Sequence, residues 1–253
     1  MSVLFYILLF TFLGSIASLI GGIILLFKEK FAISIAHYLT SFAAGILLGT
    51  AFLDLFPESM DLSEKFGGNI FLWGLVGFLV FFLVERSIHW YHYHSHGHTS
   101  KSVKTSTVPL LMISDTVHNF IDGIVMALTF LVSVPLGIIT SLAVIAHEIP
   151  QEIGDFGVML HHGIKRKRIV LVNLISALAA LIGATLAYFI GSSIEAYLPI
   201  FLSMAAGFFI YIAASDLIPE IHHQDKRGVA LIQSVLLFAG VLVVYLAVTY
   251  LEH

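Results

Sequence analysis

Apolar residues run along this chain in long blocks separated by short polar breaks. Eight blocks are close to the roughly 20 residues a helix needs to cross a bilayer: about 3–27, 33–55, 70–88, 108–131, 136–160, 169–190, 199–218 and 229–251. The pattern predicts an all-α membrane protein of eight transmembrane helices. The first block lacks a basic leader and a small-residue cleavage site, so it is expected to remain as a helix and not to be removed as a signal.

Composition sharpens this. The chain is 58% hydrophobic and 11% charged, where soluble domains carry about 25% charged residues. A soluble globule is excluded. No polar stretch is long enough for a second domain, so residues 1–253 are expected to form a single transmembrane domain, with the lipid bilayer as partner and no nucleic acid. There are no cysteines, which removes disulfides and thiolate ligands from consideration.

The basic residues orient the chain. Numbering the loops alternately, one set carries Lys28, Lys30, Arg86, Lys101, Lys104, Lys165, Arg166, Lys167, Arg168, Lys226 and Arg227, and the other carries Lys65 alone. Positive residues mark the cytoplasmic side. Both termini are therefore expected outside the cytoplasm, in a protein of the cell membrane. A His-rich tract, with His92, His94, His96 and His98, falls in the cytoplasmic stretch 89–107. That composition suits accessory metal binding.

A short motif occurs twice. Asp54-Leu-Phe-Pro57-Glu58 closes the second block and Asp216-Leu-Ile-Pro219-Glu220 closes the seventh. Under the expected topology the two lie on opposite faces. That is the mark of an inverted repeat, helices one to three matching six to eight, with helices four and five as the central pair.

The chemistry sits in that central pair. The fourth block contains Asp115, His118, Asn119, Asp122 and Gly123; the fifth contains His147, Glu148, Pro150, Gln151, Glu152 and Asp155. Positions i and i+4 share a helix face, which sets His118 over Asp122, His147 over Gln151 and Glu148 over Glu152. A very short connection around Ser133 makes the helices antiparallel neighbours whose middles meet at one depth. An acid at the bilayer centre costs about 2.5–3.5 kcal/mol, so Asp122, Glu148 and Glu152 would cost about 8–10 kcal/mol if ionised and unpaired. Neither block contains Lys or Arg inside it. A divalent cation between the helices answers this cost, and imidazole beside carboxylate favours a transition metal. Pro150 frees a backbone carbonyl and opens space.

The segments His118-Asn-Phe-Ile-Asp122-Gly123 and His147-Glu-Ile-Pro-Gln-Glu152-Ile-Gly-Asp-Phe resemble the signatures of the ZIP (Zrt/Irt-like) metal transporter family, and the likeness extends over essentially the whole chain. The resemblance implies a 3+2+3 helix arrangement and transport of Zn²⁺, with Fe²⁺, Mn²⁺ and Cd²⁺ as related cargo, into the cytoplasm. It also implies a homodimer and a binuclear metal centre. The main site would be His118, Asp122, His147 and Gln151; the second would be Asn119, Asp122, Glu148 and Gln151. Gln151 departs from the His or Glu of many relatives, and an amide is a poorer ligand. In helix six, where some relatives carry a carboxylate, this chain offers Asn173 and Ser176. Asp54, Asp115, Glu152, Asp155 and Asp216 are expected along the transport path. Two other readings remain open here. One is an intramembrane zinc metalloprotease, because His147-Glu148-Ile-Pro-Gln151 approaches H-E-x-x-H. The other is a metal sensor reading out through the His-rich tract.

Overall fold

The computed structural model describes residues 2–94, 103–191, 193–222 and 227–251, with backbone only for 88–94, 103–108, 110 and 227. Among these residues the fold is entirely helical. Eight helical spans are long and apolar enough to cross a membrane: α1 (Val3–Phe27), α2 (Glu29–Phe66), α3 (Ile70–Ser87), α4 (Leu111–Val132), α5 (Val134–His161), α6 (Arg166–Gly191), α7 (Glu195–His222) and α8 (Gly228–Leu251). His96 and His98 of the His-rich tract lie outside the described residues. His92 and His94 end the helix that carries α3, with only their backbone described.

The residues facing outward are large and apolar: Phe12, Phe71, Leu75, Ile175, Ile182, Leu231 and Phe238 are all exposed. The inward faces mix large side chains such as Phe130, Phe156 and Phe209 with small ones such as Ala43, Ala44, Ala184 and Ala206. In lipid, helices gain nothing by hiding leucine from tails that are equally apolar, so they associate where small residues let backbones close up. Three helix pairs do so through glycines. Gly45 of α2 lies on the Leu237 carbonyl of α8, and Gly240 of α8 lies on the Phe42 carbonyl. Gly207 of α7 and Gly77 of α3 meet the Gly74 and Met204 carbonyls in the same reciprocal way. Gly123 of α4 and Gly183 of α6 meet the Ala180 and Phe120 carbonyls.

Two of these contacts repeat along the chain. Ala43-Ala44-Gly45 recurs as Ala205-Ala206-Gly207, at the same offset that relates Asp54-x-x-Pro57-Glu58 to Asp216-x-x-Pro219-Glu220. Each copy of the acidic motif begins inside a five-residue π turn, Ala51–Leu55 in α2 and Ala213–Leu217 in α7. The motif was expected to close its helix. Instead both helices continue through it, α2 as far as Phe66 and α7 as far as His222. An α-helix cannot easily carry a proline, whose ring meets the carbonyl four residues back. The wider π turn just before Pro57, with the Phe56 N–H reaching the Ala51 carbonyl, makes room.

The corner between α4 and α5 sets the heights of the central helices. Ser133 alone separates them. Its hydroxyl accepts from the Leu136 N–H at 3.1 Å as an N-cap, and Pro135 occupies the first turn of α5. Gly137 lies flat against the Phe130 ring, which is 1% exposed, so no side chain wedges the corner open.

Candidate metal centre

His118 lies fifteen residues before Ser133 and His147 fourteen after it. At 1.5 Å per residue both stand about 21–22 Å from the corner, so the two imidazoles meet level. Their Nε2 atoms are 3.1 Å apart. Asp122 Oδ2 lies 3.5 Å from the His118 Nε2 and 3.2 Å from the His147 Nε2. Glu148 Oε1 lies 3.5 and 3.9 Å from the same two nitrogens. All four side chains are buried, His147 completely.

The orientation of these donors is fixed from behind. The His147 Nδ1–H donates to the Ala143 carbonyl at 3.0 Å, one turn earlier. That bond holds the proton on Nδ1 and turns the Nε2 lone pair inward, as at metal-ligating histidines generally. The Phe81 ring of α3 meets His118 edge-on at 5.5 Å, and Phe209 of α7 meets His147 at 6.3 Å. Neither aromatic contact carries a signal in the sequence, where phenylalanine is common throughout. Among the described residues Asp122 Oδ2 and Glu148 Oε1 make no hydrogen bond of standard geometry, although a buried acceptor left alone costs about 1–3 kcal/mol.

The other expected residues divide. Asn119 turns away from the four donors, and its Nδ2 donates to the Asp115 Oδ1 at 2.9 Å and the Asp115 carbonyl at 3.1 Å. Asp115 gathers with Glu152 and Asp155, with one oxygen of each lying within 4.8 Å of the others. Gln151 and Pro150 line a cavity of about 510 Å³. Asn173 is buried and donates its amide to the Ile169 carbonyl of its own helix. Ser176 of α6 is buried beside Asp115. Asp54 is 2% exposed in the π turn of α2, whereas Asp216 is exposed and lines the cavity with its Oδ1 accepting from the Ser215 hydroxyl at 2.8 Å.

The cavity reaches from His118 to one end of the bundle, where Glu29 opens α2, Glu85 nears the end of α3 and Glu220 nears the end of α7. Lys28, Lys30 and Lys165–Arg168 lie at that same end.

Apolar helices enclosing two imidazoles and two carboxylates, close to a common point, define a polytopic membrane protein with a buried group of side chains that could hold a metal ion. The chain belongs to the ZIP zinc transporter family, whose pattern matches residues 2–109 and 106–247. It is 34% identical to the zinc transporter ZIP13 of Pongo abelii over 223 residues, covering 82% of this chain and 65% of that one. It is 31% identical to the zinc transporter YKE4 of Saccharomyces cerevisiae over 217 residues, covering 74% and 61%. Over 121 residues it is 42% identical to the zinc transporter ZIP4 of Mus musculus, covering 47% and 18%. The chain therefore spans less than two thirds of the length of each of these relatives. They are named as zinc transporters, which does not favour the protease reading of His147-Glu148.

Proposed function

We propose that this protein carries a divalent transition metal, Zn²⁺ foremost, through the membrane into the cytoplasm, with His118, Asp122, His147 and Glu148 as its central binding site. The spacing of the donors carries this most directly. A tetrahedral ion with bonds near 2.0–2.1 Å sets its ligand atoms about 3.4 Å apart. The five measured separations run from 3.1 to 3.9 Å. An ion at their centre would also satisfy Asp122 Oδ2 and Glu148 Oε1, and Gln151 on the cavity wall is near enough in sequence to exchange with Glu148 as the ion moves.

The repeated π turns and the matched glycine contacts support an inverted 3+2+3 arrangement around α4 and α5. The cavity opens at the basic end, which the positive-inside rule makes cytoplasmic. The conformation is then inward-open, with Asp54 on the closed entry side and Asp216 on the exit side. Outward termini and a homodimer complete the proposal.

Transport is tested by ⁶⁵Zn²⁺ uptake into vesicles holding the purified protein. His118→Ala and His147→Ala are each expected to lower uptake at least about tenfold, in line with ligand-shell losses at other metal sites. Uptake equal to wild type in both variants would remove the site assignment.

A further inference from the structure

Beyond the four-donor centre, α4 and α5 carry a second set of acids that it does not use. Asp115 lies one turn before His118, and Glu152 and Asp155 lie one to two turns after Glu148. The helices are antiparallel, so both displacements run towards the same end, the one the cavity opens to. Asp115 and Glu152 are 6% and 5% exposed, and Asp155 lines the cavity wall. One oxygen from each lies within 4.8 Å of the other two. Oxygens no farther apart than this can reach one ion through metal–oxygen bonds of about 2.1–2.4 Å.

A cluster of carboxylates can exist without an ion, but here a further group points into it. The Ser176 hydroxyl of α6 is 2% exposed, makes no hydrogen bond of standard geometry and faces the Asp115 carboxylate. The Asn119 amide donates to Asp115 Oδ1, which holds that carboxylate in place at the edge of the cluster. No lysine or arginine occurs in α4 or α5 to balance these acids, and carboxylates at this depth are costly without a partner.

We propose that Asp115, Glu152 and Asp155, with Ser176 as a neutral oxygen donor, form a second cation site about one helical turn from the His118 centre. It rests on the transport reading as the station the ion occupies between that centre and the cavity. Its chemistry differs from the first site. It offers only oxygen, so it accepts harder dications such as Mn²⁺ as readily as Zn²⁺, and the open cavity at Asp155 leaves room for water to complete the shell. The ion would pass from nitrogen-rich to all-oxygen ligands on its way out, exchanging a tight hold for a looser one.

The test uses the purified full-length protein, equilibrium dialysis against Mn²⁺ and Mn²⁺ electron paramagnetic resonance. The variant His118→Ala/His147→Ala is expected to keep one bound Mn²⁺ per chain, and adding Glu152→Gln/Asp155→Asn is expected to weaken it about tenfold or more, since affinity follows the count of charged oxygens. Asp155→Asn alone and Ser176→Ala are milder changes that should each weaken Mn²⁺ severalfold while the protein still elutes as a single species. No Mn²⁺ on the double-histidine variant, or Mn²⁺ binding untouched by the three acid and serine changes, overturns the site. Loss of the transport reading looks different: vesicle uptake then survives His118→Ala and His147→Ala whatever the Mn²⁺ data show.

Discussion

His147 illustrates how much one residue position determines. It is wholly buried, its Nδ1–H is committed to the Ala143 carbonyl, and its Nε2 faces three other donors. Asp122 and Glu148 are buried beside the two imidazoles, so a cation bound among them should raise stability. At a free Zn²⁺ concentration of about 100 times the dissociation constant, the gain is about 2.7 kcal/mol. Thermal unfolding in detergent should therefore rise with Zn²⁺ and fall back with chelator, and Asp122→Asn should abolish most of that increment. A melting curve indifferent to Zn²⁺ in the wild type would contradict binding at these residues. The residues that periodicity reveals are those held by their own helix. His118 with Asp122 reads directly from helix spacing, whereas spacing sets His147 over Gln151 and the structure brings Glu148 beside it instead. Asn119 does not read from spacing, because its amide is captured by Asp115 and not by the expected second site. Where an amide turns depends on which acceptor tertiary packing sets beside it, and no spacing rule encodes that.

At the scale of the element, hydropathy located all eight spans, since lipid demands a continuous apolar helix and leaves few alternatives. The ends were less legible. Pro57 and Pro219 read as stops, yet a π turn carries each helix past them. A one-residue widening leaves no trace in hydrophobic pattern. Glycines show the same divide between visible residue and invisible role. Gly123 and Gly154 stand in equivalent sequence settings beside the acids, but a methyl at Gly123 would strike the Ala180 carbonyl while one at Gly154 meets nothing. Gly123→Ala should force α4 from α6, lowering stability by about 1–3 kcal/mol and reducing uptake. Gly154→Ala should be neutral or up to about 1 kcal/mol stabilising, because alanine is the better helix former. Thermal unfolding of the two variants side by side decides this, and equal losses would count against the helix contact.

The whole molecule is asymmetric although its helix pairs repeat. The cavity approaches His118 from the end lined by Glu29, His37 and Glu220. At that mouth His37 Nδ1 stands 3.5 Å from Glu220 Oε1. The absence of cysteine makes sidedness directly measurable. Ile33→Cys, on the cavity wall, should react with an impermeant maleimide applied from the cytoplasmic side, and Lys65→Cys, at the other end of α2, only from outside. Reversal of both patterns would invert the assigned orientation.

The single-residue corner at Ser133 makes the two halves of the centre share one ruler. Add one residue between Asp122 and Ser133, and His118 with Asp122 swings by about 100° and climbs about 1.5 Å against His147. Every donor would still be present in such a chain, yet none would face its mate. Insertions and deletions in this apolar stretch should thus be as damaging as loss of a histidine, and a compensating one-residue change on the α5 side should not rescue them, because it would restore height without restoring direction.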